Sequence, residues 1–224
     1  MGEDLSDFLA KAMDPVVAVG IGFVGFAAAV ALQFVTRRYL RWVYWLAVAM
    51  VAVFGTMAAD VMHVGLGVPY TASTAFYLVA LIVIFAVWYR VERTLSIHSI
   101  RSVRREFFYW ATVLATFALG TAAGDLTAVT LHLGYLASGI MFAVVIALPA
   151  IGYRWLGLNA VFAFWAAYIV TRPLGASFAD WAAVPHSRGG LDLGYAPVSI
   201  AMVIAIVVVV GYLSITRRDV PDRR

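Results

Sequence analysis

The stretch FFYWATVLATFALGTAAGD, Phe107 to Asp125, runs nineteen residues through aromatic, aliphatic and small side chains and ends on an acid. Its apolar residues do not alternate with polar ones, so it reads as a helix and not a strand. At about 1.5 Å per residue it is long enough to cross the roughly 30 Å hydrocarbon core of a bilayer. Uncharged runs recur at Pro15 to Thr36, Val61 to Tyr89 and Leu193 to Thr216. Of 224 residues, 64% are hydrophobic and 12% charged, with a mean hydropathy of +0.92. That is more apolar surface than a soluble core of this size hides, and it excludes the ordinary soluble classes. In lipid every backbone polar group must be satisfied internally, which leaves helices or a closed barrel. The helix-length runs select an all-α polytopic membrane protein.

Eight segments are predicted, near residues 1–11, 15–36, 43–65, 72–90, 107–130, 135–153, 158–180 and 196–215. The acid at the end of the opening stretch is repeated. Gly120 to Asp125 reads GTAAGD, Gly55 to Asp60 GTMAAD, Gly175 to Asp180 GASFAD and Gly2 to Asp7 GEDLSD, so all four share Gly, three residues, a small residue and Asp. The aromatic-Trp pairs Tyr44-Trp45, Tyr109-Trp110 and Phe164-Trp165 each place the Trp ten residues before the motif Gly and fifteen before the Asp. Each motif segment is followed by a plainer apolar one ending in basic residues. The predicted architecture is one membrane domain, 1–224, of four parallel helical-hairpin repeats, approximately 1–40, 41–100, 101–156 and 157–224. The first copy lacks its Trp, and its opening segment is expected to be a truncated helix.

Arg37, Arg38, Arg41, Arg90, Arg93, Arg101, Arg104, Arg105, Arg154, Arg217, Arg218, Arg223 and Arg224 fall at one end of the hairpins, against Lys11 and Arg188 at the other. The positive-inside rule then puts both termini in the cytoplasm. This topology accounts for the formal net charge of +4 without nucleic acid as a partner.

Between membrane helices, close approach relies on small residues. Gly2, Gly55, Gly120, Gly124 and Gly175 are expected to form the seams along which the four odd helices meet around a central axis. Each Asp follows its seam residue, rotated about 100° around the helix, and is able to face a shared cavity. Fifteen residues from a Trp at the membrane boundary make about 22 Å of helix, which puts Asp7, Asp60, Asp125 and Asp180 in the outer third of the bilayer. Intramembrane acids mark ion or proton pathways when they face a cavity. They serve only assembly when they bond neighbouring hydroxyls and amides. The candidate ligand set is Asp7, Asp60, Asp125, Asp180 and Glu3, with hydroxyls at Thr56, Thr121 and Ser177 and imidazoles at His63 and His132. His186 lies nearby in sequence, on the loop after Asp180. Oxygen with occasional nitrogen suits Mn²⁺ or Mg²⁺ better than Cu⁺, because the chain has no cysteine. Arg172 replaces the Ala52 and Phe117 of the other copies and is expected to be an internal counter-ion of a ring carboxylate. Pro173 beside it can bend the helix.

The segments RWVYWLAVAMVAVFGTMAADVMHVGLGVPY, residues 41–70, and TRPLGASFADW, residues 171–181, with MGEDLSD at the start, resemble a bacterial inner-membrane family of tandem two-helix repeats of unknown function, the uncharacterised membrane-anchored proteins. The resemblance covers essentially the whole chain. It implies architecture and a multi-pass location in the bacterial inner membrane, and no chemistry. The chain has no phosphate-binding loop, no HExxH and no nucleophile triad at one depth, so no enzyme activity and no cofactor are expected. Two functions follow. One is a small secondary transporter or exporter of a cation, a divalent metal among the candidates, or of a small polar solute. The other is a membrane scaffold or accessory subunit whose Gly/Asp motifs serve helix packing. Beyond the lipid bilayer and that solute, the sequence names no partner and no oligomeric state.

Overall fold

The computed structural model describes residues 2–36, 40–100 and 102–216. Arg37, Arg38, Arg101, Arg217, Arg218, Arg223 and Arg224, which enter the orientation argument, lie outside the described residues, as does Met1. Eight α-helices follow one another: α1 Gly2–Ala12, α2 Pro15–Val35, α3 Arg41–Asp60, α4 Tyr70–Glu92, α5 Val103–Asp125, α6 Gly134–Trp155, α7 Ala160–Ala183 and α8 Tyr195–Thr216. No strand occurs among the described residues. The seven helices from α2 to α8 are long and apolar enough to cross a membrane. With so much apolar surface facing outward, the chain is a multi-pass membrane protein.

Local chemistry fixes several helix starts. Asp14 accepts the Val16 and Val17 amides at 2.9 and 3.2 Å ahead of Pro15. Asn159, too isolated to interpret in the sequence, does the same for Val161 and Phe162. Both are N-caps that satisfy orphan amides at the head of a helix.

The odd helices form the centre. Helix α3 packs against α1 and α5, α5 against α7, and α7 touches α1, closing a four-membered ring. The even helices lie outside it, and their association differs from the hairpin expectation. Helix α2 packs mainly on α3, α4 on α5, α6 on α7 and α8 on α1. Each even helix therefore covers the odd helix of the following repeat more than its own partner, and α8 returns to the first repeat. The physical reason lies in the small-residue seams: the odd helices come so close that the outer groove between two of them is the surface left to cover.

Those seams are visible at the glycines. A Cβ on Gly2 would stand 2.8 Å from Ala52 Cβ, one on Gly55 2.5 Å from Phe117 Cβ, and one on Gly120 2.3 Å from Arg172 Cβ and 3.0 Å from its carbonyl carbon. Each of the three therefore sits on the residue eight before the motif Asp of the next odd helix. Gly124 is looser, with Ala176 Cβ and Ser177 Oγ at 3.7 Å. Gly175 departs from the expected packing role, since a Cβ there meets nothing within 4 Å.

The tryptophans also differ from expectation. Trp110 and Trp165 are buried inside the bundle with Tyr109 and Trp88, and they do not form a lipid-facing belt. Trp165 Nε1 donates to Leu95 O at 2.8 Å, and the Tyr44 and Tyr109 hydroxyls meet at 2.6 Å. Tryptophan accepts burial when its N–H finds a partner. The result is an aromatic plug across the arginine-rich end of the ring.

Candidate cation site

At the opposite end the ring opens. Asp60 and Asp125 close α3 and α5, and in both cases the chain continues as a single π-helical turn, Val61–Gly65 and Leu126–Thr130. The wider turn disturbs the hydrogen-bond ladder, and hydroxyls take up carbonyls beside it. Tyr77 donates to Ala58 O at 2.7 Å and Thr127 to Gly124 O at 2.9 Å. Such π turns are rare and concentrate at functional positions. Nothing in the sequence marks them.

Two layers of side chains face inward. Glu3, Thr56 and Thr121 are the residues directly after the motif glycines of α1, α3 and α5, so they share one level. The motif aspartates stand four residues further on, about 6 Å up the axis. Within the lower layer the Glu3 carboxylate accepts the Thr121 hydroxyl at 2.7 Å and the Thr56 hydroxyl at 3.2 Å, and the two threonine oxygens are 3.2 Å apart. One carboxylate oxygen from each of Glu3, Asp60 and Asp125 lies within 4.8 Å of the others. The Ser6 hydroxyl donates to Asp60 at 3.4 Å. Asp60, Asp125 and Asp180, with Asp7 and Glu3, line one cavity of about 720 Å³.

The predicted residues therefore divide. Glu3, Asp60 and Asp125 form the tight cluster, held by Thr56 and Thr121. Asp7 and Asp180 border the same cavity, but Asp7 is bridged to Lys11 at 3.6 Å, one turn along α1. Ser177 is buried in the seam opposite Gly124 and is not part of the cavity wall. His63 is drawn away: its Nδ1 bonds Val68 O at 2.7 Å and its ring stacks on Tyr70 at 3.4 Å. His132 lies beyond the π turn at φ 55°, exposed, because the left-handed residue ends the helix and turns the imidazole off the aspartate face. His186 is exposed beside Asp192 at 3.6 Å. The histidines thus fall out of the ligand set, and the site is built of oxygen.

Arg172 is the largest departure. Its guanidinium carbon lies 3.9 Å from the Phe117 ring centroid and 4.4 Å from that of Tyr168. Among the described residues it makes no ion pair, and its buried Nε has no hydrogen-bond partner. Asp180 is eight residues along α7, about 12 Å up the axis, so the shared helix face does not bring the two together. Arg172 and Glu3 do line one smaller cavity of about 270 Å³, beneath the carboxylate cluster, with Trp45 and Gly175.

Several residues of the site were not singled out in the sequence. Tyr70, Tyr135 and Tyr195 line the larger cavity, and Arg188 and Lys11 stand among them. Arg188 Nη2 donates to the Tyr135 hydroxyl at 2.6 Å, and Lys11 Nζ sits 3.5 Å over the Tyr195 ring. Burial opposes the Arg188 charge, yet the hydroxyls of Tyr135 and Tyr195 hold its pKa above the ordinary guanidinium value, so the mouth keeps a fixed positive charge. Gln33, also too isolated to interpret in sequence, donates to Glu106 at 3.0 Å at the arginine-rich end. Only the identity of Lys11 and Arg188 as the two basic residues at the acidic end hinted at a role.

Chemically, five carboxyls face two cationic side chains around one water-sized to solute-sized space. Two oxygens on opposite sides of a divalent ion lie about 4–5 Å apart, which is the spread of the Glu3, Asp60 and Asp125 oxygens. The cluster fits a hard cation. A family model described as a Repeat of Unknown Function (DUF347) matches residues 43–94, 108–157 and 163–219. No curated protein and no solved structure matches the chain.

Proposed function

This chain belongs to the DUF347 repeat family, and on that premise we propose that it is a secondary transporter or exporter of a small cation, with a divalent metal such as Mn²⁺ or Mg²⁺ as the best fit. The observation that carries the reading is the convergence of Glu3, Asp60 and Asp125, from three helices, to within 4.8 Å beside a cavity of about 720 Å³. A purely structural acid needs one partner and no cavity. Three carboxylates gathered away from lipid repel one another, and a cation or a proton relieves the repulsion.

The protein residues supply binding and orientation. Asp60 and Asp125 provide charge from the upper layer, and Glu3 closes the site from below while Thr56 and Thr121 fix its carboxylate. Asp180 and Asp7 raise the local cation concentration at the approach, and Lys11 and Arg188 limit it. In this scheme no bond is made or broken, and the protein acts as a carrier. The excess of arginine beyond the aromatic plug supports an orientation with that end in the cytoplasm and the acidic cavity on the outer side of a bacterial inner membrane.

Purified protein in sealed vesicles, loaded with a Mn²⁺-quenched dye, tests the proposal. Wild type carries Mn²⁺, or Mn²⁺ competes with a proton flux, and Asp125→Asn stays folded and inactive. A vesicle silent to Mn²⁺, Mg²⁺ and protons, with Asp125→Asn failing only in assembly, leaves the scaffold function in its place.

A further inference from the structure

Glu3 borders two cavities, the larger one with the aspartates and the smaller one with Arg172. It is the only carboxylate among the residues around the smaller space. On the other side of that space, among the described residues, the Arg172 guanidinium lies on the faces of Phe117 and Tyr168, and its buried Nε lacks an acceptor. A partly desolvated guanidinium with an unused donor is costly unless another arrangement of the molecule satisfies it. Gly175 borders the same space, and a Cβ there would meet nothing within 4 Å, so the space is open. Glu3 has the reach of a flexible side chain, and its partners in the present position are two neutral hydroxyls.

We propose that the Glu3 carboxylate has a second seat on the Arg172 guanidinium across the smaller cavity, so that Arg172 is a tethered cation that takes over Glu3 when the transported cation leaves. The inference rests on the cation-carrier reading of the same site. In the first seat Glu3 lies on Thr56 and Thr121 and completes the cation site with Asp60 and Asp125. In the second it satisfies Arg172, and the cation site loses its floor. The internal cation and the cargo thus compete for one carboxylate, which couples release to movement of Glu3. Arg172 touches no cargo and acts as a positioning residue.

The test uses the full chain in vesicles, with Mn²⁺ alone as the probe. Arg172→Gln is expected to bind Mn²⁺ at least as tightly as wild type by titration calorimetry, because the competitor is gone, while turnover falls about tenfold or more. Arg172→Lys stays closer to wild type. A second readout keeps Arg172 intact. The chain has no cysteine, so Gly175→Cys places a single thiol in the smaller cavity, and Mn²⁺ is expected to speed its maleimide labelling by holding Glu3 away. Labelling indifferent to Mn²⁺, turnover of Arg172→Gln equal to wild type, or Mn²⁺ binding that weakens in step with its turnover overturns the inference. Wild type that neither binds nor moves Mn²⁺ removes the cation reading itself, and this inference with it.

Discussion

Glu3 and Thr121 are 118 residues apart in the chain and 2.7 Å apart in space, the threonine hydroxyl donating to the carboxylate. The contact joins the first repeat to the third across the centre of the ring. It fixes an acid that would otherwise sample many rotamers, and it holds the carboxylate beside Asp60 and Asp125. Hydrogen bonds to a charged group contribute about 1.5–3 kcal/mol.

Thr121→Val keeps the shape and removes the donor. It is expected to weaken Mn²⁺ binding by about tenfold, or ~1.4 kcal/mol, and to lower stability by about 1.5–3 kcal/mol as the Glu3 carboxylate loses a donor. Calorimetric titration beside a thermal melt checks both, and unchanged affinity would show that Glu3 does not depend on this bond.

Asp125→Asn should abolish most transport, a loss of about tenfold or more, while the protein still inserts and melts near the wild-type temperature. The corresponding imidazole changes, His63→Ala and His132→Ala, should leave cation binding within about twofold, because neither ring reaches the cavity. Equal losses from the aspartate and the histidines would contradict the all-oxygen site.

Two glycines that look alike in sequence are expected to behave oppositely. Gly120→Ala forces a methyl group against Arg172 at 2.3 Å and against backbone at 3.0 Å, and should destabilise by about 1–3 kcal/mol. Gly175→Ala meets nothing within 4 Å and should stabilise by about 1 kcal/mol from helix propensity alone. Denaturation in detergent, compared at equal lipid content, distinguishes them.

The aromatic plug predicts a graded series. Trp165→Phe loses the bond to Leu95 and should cost about 1 kcal/mol. Trp165→Ala opens the plug and should cost about 3–5 kcal/mol and let protons leak through vesicles. A tight vesicle carrying Trp165→Ala would mean that the seal lies elsewhere.

Much of the architecture was legible before any coordinates. The expected segments 15–36, 72–90 and 196–215 are α2, α4 and α8 to within two residues at either end, because bilayer thickness dictates the length of an apolar run and lipid forbids unpaired backbone. The ring of odd helices was legible for a similar reason, since Gly55 and Gly120 mark the places where backbones touch. Gly175 carries the same motif without the contact, because a seam needs two surfaces and the motif specifies one. The tryptophans depart from a lipid-facing belt on a related ground: Trp at a segment end is favourable both in a membrane interface and in a plug with its N–H bonded, and periodicity does not separate the two.

The sequence by itself determined that four helices carry an acid at one level beside small residues, since spacing along a helix converts directly into height and azimuth. Only the tertiary structure decided which acids meet. The offset of each helix against the next, set by how deeply a glycine lets its neighbour approach, brings Glu3, Asp60 and Asp125 together. The same offset leaves Arg172 on aromatic faces instead of on a carboxylate. The π turns after Asp60 and Asp125, and the left-handed backbone at His132, are answers to packing at the end of the ring, and they turn the imidazoles away. Distances between side chains on different helices depend on those rigid-body relations, which no spacing within one chain segment encodes.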